Sequence, residues 1–221
     1  MDGEGTGAAR WRVGEWLADG SMEAVAEINA QCLDFLCQIA AQPARRMPGM
    51  FGGQLQAWRE LSPAARAQLA ASPYLLVEAG FDDEARWALP ARRMVQDLPT
   101  LWREPVFTGP AAEVFMRSVL VLGWHLARAN RQLARVVLGM SPACAARVAA
   151  LRLRDLDWVV EHHPGWVRPR WERHPRVWRH LLGAALDSDT ALLTQVSLRG
   201  LQLMAAGVLS PGVRGGQGAA L

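Results

Sequence analysis

Apolar residues recur at steps of three and four along most of this chain, the period of helices that each turn one face to a core. Val25, Ile28, Cys32, Phe35, Leu36 and Ile39 predict a first amphipathic helix over about 22–41. Pro43, Pro48, Gly49, Gly52 and Gly53 then interrupt the pattern as a loop. Leu55, Trp58 and Leu61 predict a short helix, and Ser62-Pro63 opens another, the serine as N-cap and the proline at the first helical position. The run Tyr74-Leu75-Leu76-Val77 fits a buried strand or a helical turn, since four residues carry too little periodicity to separate the two. Phe81-Asp82-Asp83-Glu84 reads as a helix start, with carboxylates at the positive end of the dipole. As metal ligands the three acids are poorly placed, because consecutive helical residues point apart. Pro90, Pro99, Pro105 and Pro110 punctuate the rest of this half, and 98–111 is the expected boundary between two regions.

Beyond Phe115 the pattern sharpens. Val119, Leu122, Leu126, Ala129, Leu133 and Val136 step by 3, 4, 3, 4 and 3, which predicts one helix of roughly five turns packed lengthwise on a partner. That partner is a helix of the same chain or of a second subunit, so Val119, Leu122, Leu126, Leu133 and Val136 are candidate interface residues for a homodimer. Gly139 suits a C-cap and Ser141-Pro142 opens the next helix. A further short helix begins at Leu153, with Leu156, Val159 and Val160 inward; the pair has the layout of a helix-turn-helix and equally of any helical hairpin. Leu61-Ser62-Pro63-Ala64 recurs as Met140-Ser141-Pro142-Ala143, through an old duplication or by chance. Near the end, Asp189 caps a last helix on which Gln195, Arg199 and Gln202 form a narrow polar stripe. So apolar a rod is expected at the centre of the bundle. The fold class is therefore all-α, a helical bundle over 111–209 preceded by a helical N-terminal region over 10–110, with Gly-rich and disordered ends at 1–9 and 210–221.

Charge divides the chain along the same line. All 24 basic residues are arginine. Residues 1–116 hold 10 Arg against 15 acids, a net of −5, and residues 117–221 hold 14 against 6, a net of +8, which sum to +3. The second region suits an acidic partner, or the basic half docks on the acidic half. Between Trp166 and His180 lies a corner dense in Arg and Trp, of which Arg168, Arg170, Trp171, Arg173, Arg176 and Arg179 are the candidate binding residues. Guanidinium groups neutralise phosphate and indoles stack on bases. The same residues anchor protein interfaces, and an Arg stacked on Trp can simply stabilise a solvated corner. DNA and a protein partner both remain open as ligands of the corner.

No catalytic signature competes. G-x-S-x-G, a Walker loop, G-x-G-x-x-G, C-x-x-C and H-E-x-x-H are absent from the sequence, so neither an enzyme, a metal site nor a cofactor is expected. Cys32, Cys37 and Cys144 lack metal-ligand spacing and fit inert thiols in a reducing, cytoplasmic setting. The N-terminus has no signal-peptide pattern and no run of eighteen apolar residues occurs. A membrane role is not expected.

The order of elements from the seam helix onward resembles the FlhD family of flagellar transcriptional regulators. The counterparts are Leu138-Gly139-Met140-Ser141, Val148-Ala149-Ala150-Leu151, Val160-Glu161, Pro169-Arg170-Trp171 and a closing helix from Leu192 to Met204. The resemblance covers about ninety of the 221 residues. It implies a helical, dimer-forming subunit that joins an FlhC-like partner to activate transcription, with much of the DNA contact made by that partner. It implies no catalytic residues. Val167 stands where the family often has a cysteine, Pro169 replaces the first aromatic, and residues 1–110 have no counterpart in short family members. An adaptor without DNA contact, in motility or secretion, is the alternative.

Overall fold

A computed structural model describes residues 20–42, 48–92 and 104–209. The expected ends at 1–9 and 210–221, and residues 98–103 of the expected boundary at 98–111, lie outside these residues. Ten α-helices carry almost all the regular structure among the described residues. They are α1 (Ser21–Ala41), α2 (Leu55–Glu60), α3 (Pro63–Ala70), α4 (Glu84–Arg92), α5 (Pro110–Ala129), α6 (Arg131–Leu138), α7 (Pro142–Ala150), α8 (Leu153–His162), α9 (Pro175–Leu186) and α10 (Thr190–Leu209). A 3-10 turn at Gly49–Phe51 precedes α2. Two short strands, β1 (Val77–Glu78) and β2 (Arg168–Pro169), pair antiparallel with Val77 opposite Pro169 and Glu78 opposite Arg168. The all-α expectation holds. Among the described residues no single helix is long and apolar enough to cross a membrane.

Local chemistry sets the helix ends. The hydroxyls of Ser62 and Ser141 accept from the amides of Ala65 and Cys144 at 3.2 and 3.1 Å, each followed by proline at the first helical position. Asp83 accepts from the amide of Arg86 at 3.0 Å and Asp189 from that of Leu192 at 2.9 Å. Asp83 is thus a cap, as the dipole argument expects. Gly139 closes α6 in the left-handed region at φ 69°.

The long seam departs from expectation. Its spacing predicts one helix, but Asn130 leaves helical geometry at φ −150°, ψ 88° and its side chain caps α6 by accepting from the amide of Leu133 at 3.0 Å. The restart shifts the phase, so α6 buries Leu133, Ala134, Val137 and Leu138 and leaves Val136 48% exposed. Val119, Leu122, Leu126 and Leu133 are buried within the chain. As a candidate subunit interface these four are occupied by the protein's own core.

That core is shared. It runs without a break from Val25 to Met204. Phe35 of α1 meets Phe107 and Phe115 at centroid distances of 5.7 and 5.3 Å. Trp58 of α2 meets Trp178 of α9 at 5.2 Å. α9 packs on α2, α3 and α10, while α4 packs on α7 and α8. Residues 111–209 are thus interleaved with the first half of the chain, and packing does not part at the expected boundary. α10, expected at the centre, lies at the edge against α9 and α6.

Candidate functional site: the arginine and tryptophan corner

The corner is folded by its arginines. β2 delivers Arg170 beside the extended stretch before β1, where its amide donates to the Leu76 carbonyl at 2.8 Å. Its side chain is only 6% exposed. Nε donates to the Leu75 carbonyl at 2.7 Å, and Nη2 donates to the carbonyls of Val77 and Leu138 at 3.0 Å each. Arg170 therefore clasps both halves of the chain and the C-terminal end of α6. Burial lowers its pKa, with Glu78 opposing; the planar fork keeps its charge because its donors meet carbonyl dipoles. The Arg170 carbonyl in turn accepts from the Trp178 indole at 2.8 Å.

Arg168 is committed in the same way. Its Nε and Nη2 fork onto the two carboxylate oxygens of Glu172 at 2.6 and 2.7 Å, and Nη1 donates to the Glu104 carbonyl at 2.7 Å. With Arg168 at 9% and Arg170 at 6% exposure, neither belongs to a basic surface. That corrects the expectation for both. Polar charges here satisfy backbone carbonyls that the irregular chain leaves without a ladder partner.

The tryptophans are equally inward. Trp166 and Trp178 are buried. Trp171 is half-buried at φ 55°, a left-handed conformation a bulky residue adopts only under constraint. Its ring meets Tyr74 edge-on at 5.4 Å and 82°. Gly200 of α10 makes room for this pair, since a Cβ there would lie 2.7 Å from Tyr74 Cζ and 3.0 Å from the Trp171 ring.

What remains on the surface is a trio. Arg173, Arg176 and Arg179 are exposed, as are His174 and His180. Among the described residues no carboxylate forms an ion pair with the trio. They lie around the start of α9, whose first turn holds no acid and whose N-cap, His174, makes no side-chain cap bond. Arg173 and Arg176 thus sit at the positive end of the helix dipole, where an anion is favoured, and Arg179 lies one turn further on.

Two supports escape a reading by periodicity. Asn29, within the apolar face of α1, donates to the carbonyls of Ala70 and Tyr74 at 3.1 and 2.9 Å and accepts from the Leu76 amide at 2.7 Å. Gln54 donates to the Pro175 carbonyl at 2.8 Å, fixing the start of α9. A lone amide on an otherwise apolar stripe is the signal for the first; nothing in the sequence signals the second.

Beside the corner, His163 stacks on Trp166 at 4.6 Å and 17°, and the Arg86 guanidinium lies 5.4 Å over the same indole. Burial lowers the His163 pKa, helped by His162 and Arg86. Cys32 and Cys144 are buried and Cys37 partly so. Burial pushes Cys32 and Cys37 up, and Cys144 up to about 11, which leaves them unreactive. Among the described residues no group of three or more His, Cys, Asp or Glu is placed to hold a metal.

The α7–α8 hairpin is clamped to α5. Trp124 Nε1 donates to the Leu151 carbonyl at 2.8 Å and Arg117 pairs with Asp157 at 2.9 Å. Asp155, Asp157 and Glu161 all lie on α8, the helix that would enter a DNA groove in a helix-turn-helix. No family model, no curated protein and no solved structure matches the chain.

Proposed function

We propose that the chain is a non-catalytic helical adaptor that docks an acidic protein surface through Arg173, Arg176 and Arg179. The observation that carries this reading is the division of the corner. Its inner arginines are spent on backbone carbonyls and Glu172, while the outer three have no carboxylate partner among the described residues. Three cations gathered around the start of α9 repel one another, and a carboxylate-bearing surface relieves that repulsion on binding.

Direct reading of DNA is the weaker alternative. Three phosphate contacts fall short of the roughly six to ten that give strong, salt-steep affinity. Trp166 and Trp178 are packed in the fold, Trp171 is half-buried against Tyr74, and α8 carries three acids. The role implied by the FlhD resemblance, regulation through protein assembly with an FlhC-like subunit, would use the same surface.

The test is recovery of partners from native cells by the tagged chain, with nuclease present, beside the variant Arg173→Glu/Arg176→Glu/Arg179→Glu. A defined protein should be recovered despite nuclease, released by salt, and lost from the triple variant while its thermal unfolding is unchanged. Recovery that nuclease abolishes would support nucleic acid instead. Recovery that the variant retains would remove these arginines from the interface.

A further inference from the structure

α10 has the composition of a central helix and the position of a peripheral one. Of its twenty residues only Arg199 carries a formal charge. Its docked face is thin. Across 190–206, Val196, Ser197, Gly200 and Met204 are buried and Leu193 and Leu201 half-buried, whereas α5 buries nine residues over a similar length. A helix that buries so little apolar surface opens more readily than the core it leans on.

What that face covers is the arginine clasp. A Cβ added to Gly139 would stand 3.4 Å from the Met204 methyl and 3.5 Å from Arg170 Nη1, so Met204 and the guanidinium flank the same point of the backbone. One turn earlier, Gly200 presses on the rings of Tyr74 and Trp171. Left-handed backbone gathers beneath this helix and at its hinge. Among the described residues, the non-glycine positions in that region are Trp171 at φ 55° and Ser188 at φ 54°. Trp171 lies under α10. Ser188 lies in the turn that leads into it, where its amide donates to the Ala185 carbonyl at 3.3 Å and that of Asp189 to the Ala184 carbonyl at 3.2 Å, a place that usually falls to glycine. Strained backbone lasts only while its surroundings enforce it.

We infer that α10 is a hinged cover: it lifts off Arg170, Tyr74 and Trp171 as one unit about the turn at 187–189, while the rest of the chain stays folded. Its docking also sets the turn that follows Trp171. There the His174 amide donates to the Trp171 carbonyl at 2.8 Å and Arg173 lies between the two, so the placement of Arg173 differs between the closed and lifted states. This holds whichever ligand the arginine trio takes, so the inference does not depend on the adaptor reading.

Amide hydrogen exchange of the full chain, read residue by residue by NMR, tests it with two variants. Gly200→Ala puts a methyl 2.7 Å from Tyr74 Cζ but favours the helix itself, so it weakens docking without weakening α10. Met204→Ala removes the side chain that reaches Gly139 and adds nothing beside either ring. In the native chain the amides of 196–204 and of His174 should exchange through one common opening, faster than those of α5. Both variants should speed these two sets together, by at least ~10-fold for Gly200→Ala, leave α5 unchanged, and raise the labelling of Arg170 by a dicarbonyl reagent. If α10 exchanges no faster than α5, or the variants speed α5 equally, the helix is part of the core and the inference is overturned. Variants that speed 196–204 while His174 keeps its native rate overturn it as well.

Discussion

Arg170 and Arg176 are six positions apart and do opposite things. The first is buried and holds three carbonyls from two distant segments; the second points to water. Truncating Arg170 to Ala leaves those carbonyls without their donors and should cost about 3–5 kcal/mol in urea unfolding. Lysine should not rescue it, since one ammonium cannot reproduce a fork that reaches Leu75, Val77 and Leu138 at once. Arg173→Ala, Arg176→Ala and Arg179→Ala should each stay within about 0.5 kcal/mol. His163 supplies a pH dependence of known sign. Its folded pKa lies below the ordinary 6.5, so the native state favours the neutral ring. Its contribution is whole above 6.5 and is lost as falling pH passes through 6.5 toward the folded value. Thermal unfolding should therefore move to lower temperature between roughly pH 7 and pH 5, and His163→Gln should flatten that slope.

Elements are legible where one face meets one core. α1 runs where the apolar steps place it, α3 and α7 begin at their Ser-Pro caps, and α8 begins at Leu153. The seam is not, for a physical reason. Spacing of 3 and 4 continues through Asn130 because α6 restarts as a helix, and one-dimensional periodicity carries no record of a change of axis. The asparagine itself is the signal, since its side chain competes with the helix and favours caps. Asn130→Ala should cost about 1 kcal/mol, read from the urea midpoint at constant slope. α10 misleads in the other direction. Its apolar composition is plain in the sequence, but composition cannot say whether the covering surface belongs to the same chain.

Across the whole molecule, the division into two regions by charge does not survive packing. An acidic first half and a basic second half need not be separate bodies. Here Trp58 with Trp178, Phe35 with Phe115 and the β1–β2 pair join them. Residues 111–209 expressed alone should lack a cooperative unfolding transition, and the full chain should show one; two transitions in the full chain would contradict the shared core. The candidate site is half legible in the same sense. Arg and Trp density marks the corner, but which residues face inward depends on the register of β1 against β2 and on the unladdered carbonyls of 75–77, neither of which leaves a local pattern.

The corner's arginines divide into struts and a docking surface, and arginine-directed footprinting with a dicarbonyl reagent and mass spectrometry addresses that division residue by residue. In the free protein Arg173, Arg176 and Arg179 should be modified rapidly and Arg168 and Arg170 protected; in the complex recovered from cells the three should become protected too. Labelling of Arg170 as fast as Arg176 in the native protein, or a trio that stays fully reactive in the complex, would contradict the account.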